Sequence, residues 1–405
     1  MRTKGFFWTM GSITMISLFV LLVFSSAGFS ADKTIKIGCI TALTGFAAPG
    51  EGPMGVGSQL AADWINDNGG ITIKSEKYRV KLITEDHKST AEGAAGAANK
   101  LVYDDKVKFI IGGMMPFTNI AIGGVTEPAR VLHAAIGNCS GIPDEYGPKT
   151  PYTFVTMNGA LEGIRTMLDY IKETHPTTKK IAVTQPDDGS IPIMQPRIAQ
   201  IAKEHGMTVS GNVIGFALDT VDFTPIAKKL LARKADAIVI VNGWPSMVGG
   251  VLKIARQSGF ASLPVCNINY PQAGDIFKIA GSENSANVYF HSLLPNDPKN
   301  PPIVGEVLRR LKAKSGNDEN LCYAAHGFDN LWMVVQAIEA AQSLDPTVVR
   351  DKWEKMDTMK SVWGTAHRGG LKTYGIKHTM THPIPVVSYV NGEPKTMKWM
   401  DIIAP

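Results

Sequence analysis

Residues 35–71 read IKIGCITALTGFAAPGEGPMGVGSQLAADWINDNGGI. The apolar run 35–40 has strand character. Residues 54–68 then carry Leu60, Ala61, Trp64 and Ile65 at helical spacing. Asn68-Gly69-Gly70 stops that helix with residues that accept a left-handed backbone. The same unit recurs downstream. Strands are expected at 79–84, 109–113 and 131–136, with helices at 91–103 and 120–129 between them. A second series follows, with strands at 180–184, 207–213, 237–241 and 263–266. Its helices fall at 161–173, 193–205, 223–233 and 247–258. Repeated β-α-β predicts mainly parallel sheets covered by helices on both faces, an α/β fold built as two tandem units. The extended stretches 151–158 and 288–295 lie at the seams and read as crossings between the units. A linker at 298–302 leads to amphipathic helices at 303–314 and 323–343, and the tail from Trp363 reads as strands and turns.

The amino terminus sets the compartment. Arg2 and Lys4 precede an apolar run over 13–24, and Ser25, Ser26, Ala27, Gly28 and Ser30 follow it. That order is a secretory signal peptide, too short for a membrane span of about 20 apolar residues. Cleavage is expected after Ser30 or after Ala27. The first cysteine is Cys39, so no lipid anchor is expected. The remaining chain of about 375 residues exceeds one core, so two domains are expected. With 41 basic and 36 acidic residues and no basic run, nothing points to nucleic acid. Cysteines at 39, 139, 266 and 322 form no zinc pattern, and Cys39 and Cys266 are expected as buried free thiols.

The glycines at 50, 52, 55 and 57 satisfy the G-x-G-x-x-G spacing, but they stand some ten residues beyond the first strand, too far for a dinucleotide turn. A ligand-facing loop is expected there, because α/β sheets bind ligands beyond the carboxyl ends of their strands. There is no G-x-S-x-G, H-E-x-x-H or P-loop, and the histidines lack ligand spacing. No enzyme activity, metal or cofactor is therefore expected. Glu85-Asp86-His87 and Asp187-Asp188-Gly189 close strands and read as solvated loops.

Beyond residues 35–71, the segments DHKSTAEGAAGAANKLVYDDKVKFIIGG (86–113), DFTPIAKKLLARKADAIVIV (222–241), VLKIARQSGF (251–260) and AAHGFDNLWMVVQAIEAA (324–341) keep their order and spacing. Together they resemble the leucine/isoleucine/valine-binding family of periplasmic proteins over nearly all of the chain after the signal. The resemblance implies a two-lobed periplasmic-binding-protein-like fold with three hinge crossings. Lobe one would hold residues 31–155 and 291–365, and lobe two 156–290 and 366–405. It also implies closure on a small solute, an ABC permease in the inner membrane as partner, and a monomer in the periplasm.

The pocket departs from the family's pattern. Gly50 and Trp244 stand where tyrosines are usual, Met115-Pro116 where a hydroxyl residue is usual, and Ser190 where another tyrosine is usual. The residues after Cys266, Asn267-Ile268-Asn269-Tyr270, lack the carboxylate that takes an amino acid's ammonium. A buried ammonium without a carboxylate is costly. The expected ligand-binding set is Phe46, Met115, Phe117, Thr118, Asn138, Cys139, Ser140, Ser190, Trp244, Asn269 and Tyr270, with Met114 beside it. Its aromatic and Met walls suit a flat or apolar solute such as an aromatic or short-chain carboxylic acid. Branched-chain amino acid or amide binding, or service as the soluble sensing partner of a membrane receptor, are the alternatives.

Overall fold

The computed structural model describes residues 33–137, 142, 144–260, 264–267, 273–402 and 404, without the side chains of 265–267 and 273. The strands β1 (Lys33–Thr41), β2 (Ile71–Ile73), β3 (Glu76–Asp86), β4 (Phe109–Gly112), β5 (Leu132–Ala135) and β6 (Thr153–Val155) alternate with helices α1 (Ala48–Asp67), α2 (Ala91–Asn99) and α3 (Pro116–Ala129). Then α4 (Ala160–Thr174), α5 (Ile191–Glu204), α6 (Thr224–Ala232), α7 (Pro245–Gln257) and α8 (Ala273–Ala280) alternate with β7 (Lys180–Pro186), β8 (Thr208–Val209), β9 (Ile214–Phe216), β10 (Ala237–Ile240), β11 (Val265–Asn267) and β12 (Val288–His291). The chain returns through α9 (Pro302–Ser315), α10 (Leu321–Ala341) and α11 (Pro346–Trp353). It ends in β13 (Thr358–Ser361), β14 (Gly364–Gly369), α12 (Leu371–Tyr374), β15 (Thr379–Thr381), β16 (Ile384–Val390) and β17 (Glu393–Met400).

Two sheets result. Among the described residues the first runs β13-β14-β15-β6-β5-β4-β1-β3-β2 and the second β17-β16-β12-β11-β10-β7-β8, with β9 also on β7. Their central pairs are parallel, and antiparallel pairing is confined to the ends. Strand alternation splits the apolar residues between two faces. Ile35, Ile37 and Cys39 enter a core with α1 and α10, while Ile40 and Ile110 enter another with α2 and α3. In the second sheet Ile181, Val183 and Val239 face α4 and α5, while Ala182, Ile238 and Ile240 face α6 and α7. Each fully buried Ile or Val contributes about 1.5–3 kcal/mol relative to exposure, so a sheet buried on both faces is the stable solution for these sequences.

Three crossings join the lobes. They follow β6 (156–159), follow β12 (292–301) and separate β15 from β16 (382–383). The last differs from expectation: the sequence places residues 366–381 in lobe two, yet β14 and β15 extend the first sheet. β15 pairs with β6 and β14 with β15, so pairing decides what alternation could not. The first and last crossings are tied together. Asn158 Nδ2 donates to His382 O at 3.0 Å, and His382 N donates to Asn158 Oδ1 at 2.9 Å. The His382 ring stacks on Trp363 at 5.0 Å, and burial drops its pKa to about 4.

Two local expectations also change. Helix α1 begins at Ala48, so the glycines at 50–57 are helical and form no loop; Pro49 sits in the first turn, where a missing N–H costs nothing. Of the strand expected at 207–213 only β8 forms; β9 follows beyond it, and the two pair with opposite ends of β7. Cys39 and Cys322 are buried free thiols, and burial raises both pKa values to about 12.

Candidate functional site

The strand-to-helix connections of the two lobes face each other, and the one between β1 and α1 is tied down by hydrogen bonds. Asp86, ending β3, accepts from Leu43 N at 2.9 Å, Lys88 N at 2.8 Å and Thr44 Oγ1 at 2.6 Å. Burial opposes its charge, but hydrogen bonds from Thr44, Lys88 and Leu43 outweigh it and hold the carboxyl at about 2. Below this loop lies a buried pair, Glu51 Oε2 to His87 Nε2 at 2.6 Å. Thr41 Oγ1 donates to Glu51 O at 2.7 Å. The first turn of α1 is thus fixed to β1 and to the loop after β3, and Gly50 is held facing lobe two.

Opposite stands Trp244, the cap residue of α7. Its half-buried indole packs against the cores of both lobes. A Cβ placed on Gly50 would lie 2.7 Å from Trp244 Cζ3, so the ring rests on bare backbone. Trp244 divides the cleft. On one side is a small void of about 10 Å³, lined by Met114, Met115, Pro186, Asp188, Leu218, Asn242 and Trp244 itself. That is room for about one water. On the other side an open cavity of about 500 Å³ is lined by Phe46, Pro49, Gly50, Val221, Trp244, Met247, Ile279 and Tyr323, with Asp219, Asp275 and Lys278 at its polar edge. That volume falls within the range of about 300–1,000 Å³ typical of small-molecule sites.

The expected site residues separate into three groups. Phe46, Met115 and Trp244 line these spaces, as does Met114. Thr118 and Ser190 do not. Thr118 Oγ1 donates to Met115 O at 2.8 Å inside the first turn of α3, and Ser190 Oγ donates to Asp188 Oδ1 at 2.5 Å. Both side chains are fully buried, because a hydroxyl at a helix start is drawn to local backbone and carboxyl partners. Phe117 is half-buried against the core of lobe one. Asn138, Cys139, Ser140, Asn269 and Tyr270 lie outside the described residues.

The sequence reading missed Asp188. Its carboxyl was expected in a solvated loop, yet it lines the inner void and accepts from both N and Oγ of Ser190. Burial raises its pKa against those two hydrogen bonds. Asn242 enters the same void because it adopts φ 55°, a left-handed conformation that asparagine tolerates. Tyr323, on α10, carried no sequence signal, since α10 is buried along most of its length. Among the described residues its buried phenol oxygen has no hydrogen-bond partner, and burial raises its pKa. Among the described residues no group of three His, Cys, Asp or Glu is placed to hold a metal ion.

Residues 34–394 match the family model for periplasmic binding proteins. The chain belongs to the periplasmic binding protein family. The fold agrees with that of solved structures. This binding protein is similar to the branched-chain amino acid transporter substrate binding protein LivJ from Streptococcus pneumoniae, solved in complex with isoleucine. The TM-score is 0.73 at 20% identity, covering 91% of this chain and 100% of that one. The leucine binding protein LivK from Thermotoga maritima gives 0.73 at 18% identity, covering 91% and 99%. An ABC transporter solute binding protein from R. palustris, solved with 4-hydroxybenzoate, gives 0.71 at 18% identity, covering 92% and 98%. These identities speak for the fold. The two-lobed architecture with three crossings is the one on which the cleft between Gly50 and Trp244 depends. Among the described residues no helix of this binding protein is long and apolar enough to cross a membrane.

Proposed function

We propose that this binding protein is the extracytoplasmic solute-binding component of an ABC importer. It captures a small organic solute by closure of the two lobes and presents it to an inner-membrane permease. The reading is carried by one observation: an apolar cavity of about 500 Å³ lies between the lobes and shares Trp244 as a wall. The signal-like order of residues 2–30 supports export to the periplasm. The Met114, Met115, Phe46 and Trp244 surfaces favour a flat or apolar body, as in an aromatic or short-chain carboxylic acid.

A second reading, an amino acid or amide, gains support from Asp188. Its carboxyl faces the inner void beside Trp244 and suits the hydrogen-bond-donating end of a solute. Thermal unfolding with benzoate, 4-hydroxybenzoate, isoleucine, leucine and simple amides tests both. A solute that binds only the folded state at a hundred times its Kd stabilises by about 2.7 kcal/mol. An aromatic acid is expected to raise the melting temperature. A response confined to leucine and isoleucine, lost in Asp188→Asn, would install the second reading. Silence across the panel, with no change from a wider set of organic acids and amines, would sink solute capture.

A further inference from the structure

Gly50 is not required by its own backbone. It sits inside α1 with helical geometry, where alanine would be favoured over glycine. What excludes a side chain is the other lobe: an added Cβ would meet Trp244 Cζ3 at 2.7 Å, Cη2 at 3.5 Å and Cε3 at 3.6 Å. Two residues on, the same construction at Gly52 meets only Ala42 O at 3.6 Å, an ordinary contact. Gly50 is therefore matched to an indole that belongs to a different sheet.

We infer that Gly50 and Trp244 form a single closure and specificity element, in which the indole seats on bare backbone and the solute is whatever fits around that contact. The inference rests on the solute-binding reading and deepens it. Both partners are held from behind. Glu51, the next residue to Gly50, is pinned by His87 and through its carbonyl by Thr41. Trp244 precedes Pro245, whose ring fixes its own φ and biases the preceding residue to the extended backbone seen here, ψ 158°. The backbone of neither can retreat cheaply from an added methyl, so relief falls to the indole turning or to the lobes parting. The contact also sets the shape of the cleft, because the seated ring separates the inner void from the open cavity. A methyl at position 50 holds the lobes apart and removes that partition. A smaller ring at position 244 gives the methyl room.

Four full-length mature proteins decide it: wild type, Gly50→Ala, Gly52→Ala and Gly50→Ala with Trp244→Phe. Solute-free small-angle scattering gives the radius of gyration, and calorimetry with benzoate and with isoleucine gives affinity for whichever of them the wild type binds. Far-ultraviolet circular dichroism confirms that each variant is folded. Gly50→Ala is expected to enlarge the radius and weaken binding by about tenfold or more, the scale of overpacking a formed contact. Gly52→Ala should match wild type in both, and the double variant should recover the smaller radius and at least part of the affinity. A Gly50→Ala protein with wild-type radius and affinity overturns the inference. So does a Gly52→Ala protein equally impaired, which would make the effect one of helix stiffening. If neither probe binds wild type, the choice of solute is wrong, and the solute-free radii still decide the role of the pair.

Discussion

The same substitution, glycine to alanine, should act with opposite signs at two helical positions of lobe one. Helices α1 and α10 touch through bare backbone. A Cβ on Gly57 would lie 1.9 Å from Ala324 O, and one on Gly327 would lie 1.7 Å from Met54 O. Ser58 Oγ, donating to Gly327 O at 2.9 Å, marks how close the two backbones run. Ordinary contact begins near 3.4 Å, and the obstructing atoms are carbonyl oxygens, which cannot rotate away as a side chain can. The helices must part by well over an ångström along a seam that includes Met54, Leu60, Ala324 and Phe328. Overpacking a formed core costs about 1–3 kcal/mol and occasionally more. Alanine's helix propensity offsets about 1 kcal/mol. A net loss of about 2 kcal/mol, the upper end of that range less the propensity gain, is expected for Gly57→Ala, since the clash here is with backbone. At Gly96, in α2, nothing lies within 4 Å of the added Cβ, and Gly96→Ala should gain about 0.5–1 kcal/mol. Solute-free urea unfolding at fixed pH, read as a midpoint shift at constant slope, measures both. A Gly57→Ala midpoint equal to or above wild type would refute close packing of α1 on α10.

Trp244→Ala should weaken solute binding by about 1–3 kcal/mol, the value of a large side chain's apolar contact, with a smaller loss in the melting of the solute-free protein because the ring is only half-buried. Calorimetry beside scanning calorimetry checks this, and a far larger loss of melting temperature would place the ring in the core. His382 is buried, and its pKa falls from about 6.5 unfolded to about 4 folded. The unfolded chain therefore binds the proton first, so stability present above about pH 6.5 is lost as pH falls towards 4, by about 3 kcal/mol from this group. His382→Gln should be less acid-sensitive than wild type over that interval in urea titrations, and equal sensitivity would count against a buried neutral ring. Saturating solute should reduce the radius of gyration in small-angle scattering, by drawing a solute-free mixture of open and closed lobes towards the state in which Gly50 meets Trp244; an unchanged radius would argue for a rigid pair of lobes.

What the sequence disclosed follows from periodicity. Strands such as β4 and β10 are continuous apolar runs because both faces are buried, and the helices between them repeat at 3.6 residues. Where residue choice answers to a distant contact, the pattern gave the wrong answer. Gly50 has the look of a turn, yet it sits in a helix and serves Trp244; Gly57, within the expected helix, serves Ala324, and both partners are remote in sequence. The tail alternates correctly, but alternation does not say which sheet a strand joins, so β14 and β15 were expected in the wrong lobe. In the cleft, Trp244 and Met115 were legible from their place after strands. Asp188 was not, because Asp-Asp-Gly has the composition of a wet turn and only burial distinguishes this one.

The polar inventory of the cleft bears on how a solute is chosen. Thr118 and Ser190, the serine and threonine of the expected site among the described residues, are spent on Met115 O and Asp188. The helices that start at the cleft each carry proline in their first turn: Pro49 in α1, Pro116 in α3, Pro192 in α5 and Pro245 in α7. A helix start normally offers free N–H groups to an anion, and each proline removes one. The cation at the edge of the open cavity is also engaged, Lys278 with Asp275 at 3.5 Å and Glu319 at 3.7 Å. Among the described residues, then, apolar surface outweighs uncommitted donors. Discrimination by hydrogen bonding to a buried partner is steep, whereas discrimination by apolar fit is shallow, about 1–3 kcal/mol for each methylene. A cleft built this way ranks solutes by shape against Trp244 and the methionines, so related apolar solutes should differ in affinity by graded steps.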